Sequence, residues 1–300
     1  MERDPQPISH GAMWFARSVA TGVLLLAALV LAGWLLDKPL LKSGLPGHVA
    51  MKANTALGFA LAALALWLLE DRTAAPWRRA VVLGCALVVA AVGAVSLAEY
   101  LLGTNLGIDQ LFFREPAGAL ATSNPGRMAP LTALNFMLLG SALWLMTRPR
   151  AVLAAQPVGV LIAGIGLVNL IGYLFEAEAF YRVGPYTAMS LPTAAAFAAL
   201  GMGVLCVRPE AGLMRTVTSD GAGGLVARRL LLPAVLVPVV LEWLGRQGQR
   251  AGLYDRAFGG ALTAVGSILA LGLVIWWTAR LLERGGRERQ RVEAARHAQG

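Results

Sequence analysis

MKANTALGF at Met51 to Phe59, MAPLTALNF at Met128 to Phe136 and MSLPTAAAF at Met189 to Phe197 are three copies of one phrase, Met-x-x-x-Thr-Ala-x-x-Phe. Each copy opens a long apolar run, and each is followed one helical turn later by a small residue, Ala63, Gly140 or Gly201. Internal repetition constrains architecture before any single residue does. Met51, Thr55 and Phe59, with their counterparts Met128, Thr132, Phe136 and Met189, Thr193, Phe197, recur at a spacing that brings them near one helix face. That face reads as a packing seam: threonine bonds a carbonyl or reaches a neighbouring helix, and small residues let backbones approach closely.

Working outward, the rest of the chain is just as apolar. Of 300 residues, 57% are hydrophobic and 14% charged, against about 25% charged in an ordinary soluble domain. Runs of about 20 apolar residues suffice to cross roughly 30 Å of hydrocarbon as helices. The ten-residue alternation of a membrane barrel is missing. The expected fold is therefore all-α, a polytopic membrane bundle of about eight spans near 14–36, 51–70, 78–100, 129–147, 152–174, 189–207, 229–245 and 258–280. Proline and polar clusters separate them, among them Asp37-Lys38-Pro39, Asp71 to Pro76, Pro116 to Pro130 and Arg148-Pro149-Arg150. The first six spans form tandem hairpins over 14–70, 78–147 and 152–207. An output hairpin over 229–280 completes a membrane domain of residues 1–280, and residues 281–300 begin a charged helix.

Most of the 26 Lys and Arg residues fall on one side of this arrangement if the N-terminus is cytoplasmic. The positive-inside rule then orients both termini inward. The basic excess is a topology signal and a contact for anionic lipid. Scattered over short loops, it does not form a nucleic-acid-binding face. Each odd span of the three hairpins ends in an aromatic followed by leucine, at Trp34-Leu35, Tyr100-Leu101 and Tyr173-Leu174, a pattern expected where rings sit at the membrane interface.

Candidate chemistry is sparse. No histidine lies in a span, which excludes a bis-histidine haem. His48 with Asp37 makes the one weak metal pairing, so no metal and no cofactor are expected. Cys85 and Cys206 lie in apolar runs and read as small core or lipid-facing residues. No phosphate loop, nucleophile elbow or zinc-protease motif is present. The glycine-rich Ser219 to Gly224 stretch reads as a turn. Intramembrane ionisable groups default to a functional hypothesis. Glu99, Tyr100, Asp109, Tyr173 and Glu242 are accordingly the candidate sensing or ligand-facing residues, with hydrated structural ion pairing as the alternative role for the acids. Asn135 and Asn169 lie deeper and are expected to bond between helices. The loop Gly103 to Arg127 is the longest, and reads as a lid or a packed cap.

The last span runs through Trp276-Trp277 to Arg280 into LLERGGRERQRVEAARHAQG. Its composition favours helix, although Gly285-Gly286 weakens it by about 2 kcal/mol. Together, the three phrases, Glu99-Tyr100-Leu101 to Phe113, Gly172-Tyr173-Leu174-Phe175, Tyr186-Thr187, Ser219-Asp220-Gly221, Gln249 to Asp255 and the Trp276 to Arg280 exit resemble the N-terminal multi-pass sensor region of bacterial PAS-containing and hybrid sensor histidine kinases, also found on diguanylate cyclases. The resemblance spans nearly the whole chain. It implies a sensory input domain in the bacterial inner membrane, dimerising through its C-terminal helix and coupled to a response regulator only through a kinase module not contained in this sequence. Catalysis is implied for such a parent protein and not for these residues. A small-molecule transporter and a non-catalytic membrane scaffold are the alternatives.

Overall fold

The computed structural model describes residues 7–69, 75–219 and 221–297. Every regular element among them is helical, and no strand occurs among the described residues. The chain divides into two compact units, Met1–Arg215 and Thr216–Gly300.

In the first unit, six long helices carry the architecture: α1 (Pro7–Leu35), α3 (Ala53–Leu69), α4 (Pro76–Leu102), α5 (Pro130–Met146), α6 (Val152–Leu174) and α8 (Leu191–Cys206). The short α2 (Pro39–Ser43) and α7 (Glu178–Tyr181) lie in connections, and a single 3₁₀ turn (Pro149–Ala151) precedes α6. Helix α9 (Gly212–Thr218) runs over the boundary between the units. The helices pair as α1 with α3, α4 with α5, and α6 with α8. Each pair also packs on the next: α3 on α4, α5 on α6, and α8 back on α1. That closes a ring in which α3, α5 and α8 touch one another at the centre.

The phrases explain this arrangement. Pro130 and Pro192 stand in the first turn of α5 and α8, where proline's fixed φ is preorganised and its missing N–H costs nothing. Each phrase is therefore a helix start. Phe59, Phe136 and Phe197 are fully buried and meet as a triangle, with ring centroids 5.0, 4.7 and 5.0 Å apart. Tilted and edge-on rings at these separations contribute about 0.5–1.5 kcal/mol per pair beyond their area. Gly58 lies against the same triangle, where a Cβ would come within 2.8 Å of the Phe136 ring.

Small residues set the distance between paired helices. A Cβ on Gly140 would lie 2.5 Å from the Ala86 carbonyl oxygen, and one on Gly201 would lie 2.5 Å from the Ala163 nitrogen. From the opposite helices, Gly93 abuts the Ala133 carbonyl and Gly166 abuts the Ala198 nitrogen. Ala27 and Ala63, both buried, hold the corresponding places between α1 and α3. Thr55, Thr132 and Thr193 are buried too.

Helices α1, α4 and α6 form the outer ring. Each is long and apolar enough to cross a membrane, and each buries only a third of its most apolar stretch. Leu25, Leu29, Leu87, Leu153 and Leu161 point outward. The inner helices are shorter, at 17, 17 and 16 residues.

The second unit is a hairpin of α10 (Ala222–Arg250) and α11 (Arg256–His297). Tyr254 closes its turn by donating to the Gly245 carbonyl at 3.1 Å. Both helices are long enough to cross a membrane and bury only 6% of their apolar stretches. With α1, α4 and α6 they make five such helices among the described residues, and they mark a membrane-embedded protein.

Several boundaries differ from expectation. Helix α10, expected over 229–245, begins at Ala222, so Ala222 to Gly224 are helical and the glycine-rich turn is shorter than its sequence implied. Pro233 and Pro238 lie inside α10. Helix α11 continues through Gly285-Gly286 to His297. Residues 298–300, the last of the expected dimerising tail, and most of the turn expected over 71–76 lie outside the described residues.

Candidate functional site

The phrases all start at the same end of the ring, and the candidate residues of the first unit gather there. Three outer-helix aromatics reach the carbonyl of the Met that opens the adjoining phrase. Trp34 Nε1 donates to Met51 O at 2.9 Å, Tyr100 Oη to Met128 O at 2.9 Å, and Tyr173 Oη to Met189 O at 2.6 Å. These polar tips thus point into the protein. The physical reason is local. Each Met carbonyl precedes a helix, so it has no intrahelical donor, and a buried carbonyl without one is costly. Tyr173→Phe is expected to lower stability by about 1 kcal/mol. Thermal unfolding of the detergent-solubilised chain checks this, and an unchanged midpoint would show the bond to be dispensable.

Glu99, Tyr100 and Asp109 come together around a residue that the sequence reading did not single out, Arg127. Its Nε donates to Asp109 Oδ2 at 2.8 Å, and its Nη2 lies 3.2 Å from Glu99 Oε1. Nη2 also donates to the Thr104 carbonyl at 3.1 Å, and the guanidinium sits 5.3 Å from the centre of the Tyr100 ring. The Leu106 N–H adds a 2.7 Å bond to Glu99 Oε1. The Glu99, Asp109 and Arg127 side chains are 0, 5 and 3% exposed. These acids are therefore ion-paired, but buried in the protein instead of hydrated.

A second buried pair lies beside the first. Lys52 Nζ donates to Glu115 Oε1 and Oε2 at 2.5 and 2.7 Å and to Thr122 Oγ1 at 2.8 Å. Glu115 Oε2 also accepts the Gly126 N–H at 2.7 Å. Gly126 adopts φ +76°, and a Cβ there would lie 2.5 Å from the Asp109 carbonyl oxygen, so only glycine lets the loop close on itself.

These contacts make the segment from Gly103 to Arg127 a cap pinned by two ion pairs. Further bonds tie it to the neighbouring connection: Ser123 N to Thr187 Oγ1 at 3.2 Å, and Ala188 N to the Ala121 carbonyl at 3.0 Å. Phe113 tilts against Trp34 at 5.9 Å, and Tyr186 meets Tyr100 edge-on at 5.0 Å.

Other candidates stand apart. Tyr173 stacks on Tyr181 at 4.1 Å, with His48 at 5.9 Å. Glu242 belongs to the second unit, where it pairs with Arg246 at 3.3 Å on a partly exposed helix face. Asp37 pairs with Lys42 at 2.6 Å, and His48 Nδ1 lies 3.0 Å from the Pro46 carbonyl. Among the described residues no cluster of three potential metal ligands occurs. The two asparagines do not bridge helices. Asn169 Nδ2 donates within its own helix to the Ile165 carbonyl at 2.7 Å, and the buried Asn135 amide has no hydrogen-bond partner.

Lys52 and Arg127 had one signal in the sequence: each abuts the Met of a phrase, a charged residue beside a fully buried one. Glu115 had none. No protein-family model, curated protein or solved structure matches the chain.

Proposed function

We propose that this chain is the membrane sensory input region of a bacterial signal-transduction protein of the sensor-histidine-kinase type. Eight helices cross the inner membrane in this reading, as three hairpin repeats and an output hairpin, with both termini in the cytoplasm. The capped end faces outward and receives the stimulus. The stimulus repacks the hairpins, and the last helix carries the change to an output module through a homodimeric stalk. A response regulator is reached only through that module, and lipids are the other partners.

One observation carries the proposal most directly. Helix α11 is continuous over 42 residues, about 63 Å at 1.5 Å per residue, roughly twice the hydrocarbon thickness. Its apolar stretch ends near Arg280, and the remainder is rich in Arg and Glu. A span that runs unbroken into a charged helix can transmit rotation or translation. The transporter alternative draws on internal repetition alone, and the centre of the ring is filled by Phe59, Phe136 and Phe197.

The test is a fusion of the chain to a histidine-kinase core, with one, two, three or four residues inserted after Arg280. Each inserted residue turns the following helix by about 100°. Autophosphorylation in membrane vesicles is expected to alternate with helical phase, with the four-residue insertion nearest to the parent. Output indifferent to insertion would sink the proposal, and solute uptake by the unfused chain in liposomes would favour a transporter.

A further inference from the structure

Two acids and one guanidinium are sealed beneath the cap, and the hydrogen bonds use only half of the acids' oxygens. Arg127 engages Asp109 Oδ2 and Glu99 Oε1, and the Leu106 N–H engages Glu99 Oε1 again. Glu99 Oε2 and Asp109 Oδ1 are buried with no partner. No other charge is at hand to satisfy them. The Lys52 ammonium is committed to Glu115 and Thr122. The Tyr100 hydroxyl is committed to Met128, and Tyr186 faces the Tyr100 ring. Elsewhere at this end, Asp37 is held by Lys42, Glu178 by Arg182, and His48 faces Tyr173. One positive charge therefore faces two carboxyls. Full ionisation would strand a net negative charge and two bare oxygens in a buried site, which is strongly unfavourable.

We propose that Glu99 and Asp109 hold a single proton between them, one acid as an O–H donor and the other as carboxylate acceptor, and that this proton-binding site latches the Gly103–Arg127 cap. Proton release neither makes nor breaks a covalent bond to carbon. It turns the donor into a second carboxylate and sends the proton to solvent. The inference does not rest on the sensory reading, although a proton is a stimulus such a domain could report.

The sign of the pH dependence follows. Burial pushes the Asp109 carboxyl above the ordinary aspartate value of 3.8; Arg127 pulls it back, and Glu99 pushes it further up. A group whose folded-state affinity for the proton is raised adds stability that is complete below its ordinary pKa and disappears as pH rises through the raised one. The cap is thus tightest on the acid side and loosens with rising pH.

The experiment uses the full chain in lipid nanodiscs. Infrared pH-difference spectra read the protonated-carboxyl C=O band, and hydrogen exchange of residues 103–127, corrected for the intrinsic pH dependence of exchange, reads the cap. The expected result is a protonated-carboxyl band that outlasts the ordinary carboxylate range. It vanishes in both Asp109→Asn and Glu99→Gln. As it titrates away, cap exchange quickens on the order of tenfold for each pH unit by which the band's midpoint exceeds the ordinary aspartate value. In Asp109→Asn, cap exchange is insensitive to pH. The proposal is overturned by a wild-type spectrum without the band, by a band that survives both substitutions, or by cap exchange that ignores pH in the wild type. If Asp109→Asn does not fold, the wild-type titration and Glu99→Gln still decide. Failure here leaves the kinase-fusion result untouched, and the reverse also holds.

Discussion

Gly140→Val is expected to destroy the folded ring. The new Cβ would lie 2.5 Å from the Ala86 carbonyl oxygen, 2.6 Å from the Ala90 nitrogen and 2.7 Å from the Ala90 Cβ. Two of these neighbours are backbone atoms of α4, which cannot rotate aside as a side chain does. Relief requires α4 and α5 to separate, and that pulls Phe136 out of the central triangle. Overpacking a core costs about 1–3 kcal/mol when side chains can adjust, so more than about 3 kcal/mol is expected here. Gly201→Val should do the same between α6 and α8, where its Cβ would meet Ala163 N at 2.5 Å and Gly159 O at 2.6 Å. Gly84→Ala and Gly164→Ala are the controls, since nothing lies within 4 Å of either added Cβ. Size-exclusion profiles and thermal unfolding in detergent separate the two classes. A Gly140→Val protein that melts like the parent would refute the close-packed seam.

Arg127→Met is the second large effect. It leaves Glu99 and Asp109 buried and facing each other with no cation. Removing one partner of a buried ion pair costs about 3–5 kcal/mol, because the remaining charge stays desolvated. The expected result is a destabilised chain with a cap open to protease. Adding Glu99→Gln and Asp109→Asn to the same variant should restore much of the loss, since neutral amides carry a smaller desolvation penalty. Stability unchanged by Arg127→Met would remove the ion pair from the account of the cap. Failure of the two amides to rescue it would mean that the guanidinium acts through packing on Tyr100.

Those two predictions draw on different depths of the sequence. Gly140 and Gly201 were visible as the small residue one turn beyond each phrase, because helical periodicity is a local property that spacing reveals. Glu99 and Asp109 were visible as ionisable groups beside apolar runs. Their environment was not, since Arg127 is brought to Glu99 by closure of the intervening loop, and spacing along the chain carries no record of that closure. The same gap explains Trp34, Tyr100 and Tyr173. Their residue type fits the end of a membrane span, and only the position of the Met carbonyls gives their polar tips a partner. Asn169 donates within its own helix to the Ile165 carbonyl one turn back.

Composition and apolar run length were enough to establish an all-helical, membrane-embedded chain, since a helix satisfies its own backbone and needs no distant partner to do so. The three phrases marked where inner helices begin. Folding in three dimensions alone decided that the pairs close into a ring, that three phenylalanines fill its centre, and that two ion pairs seal its end. Those outcomes depend on which surfaces exclude one another at contact distance, and contact distance is a property of the packed chain.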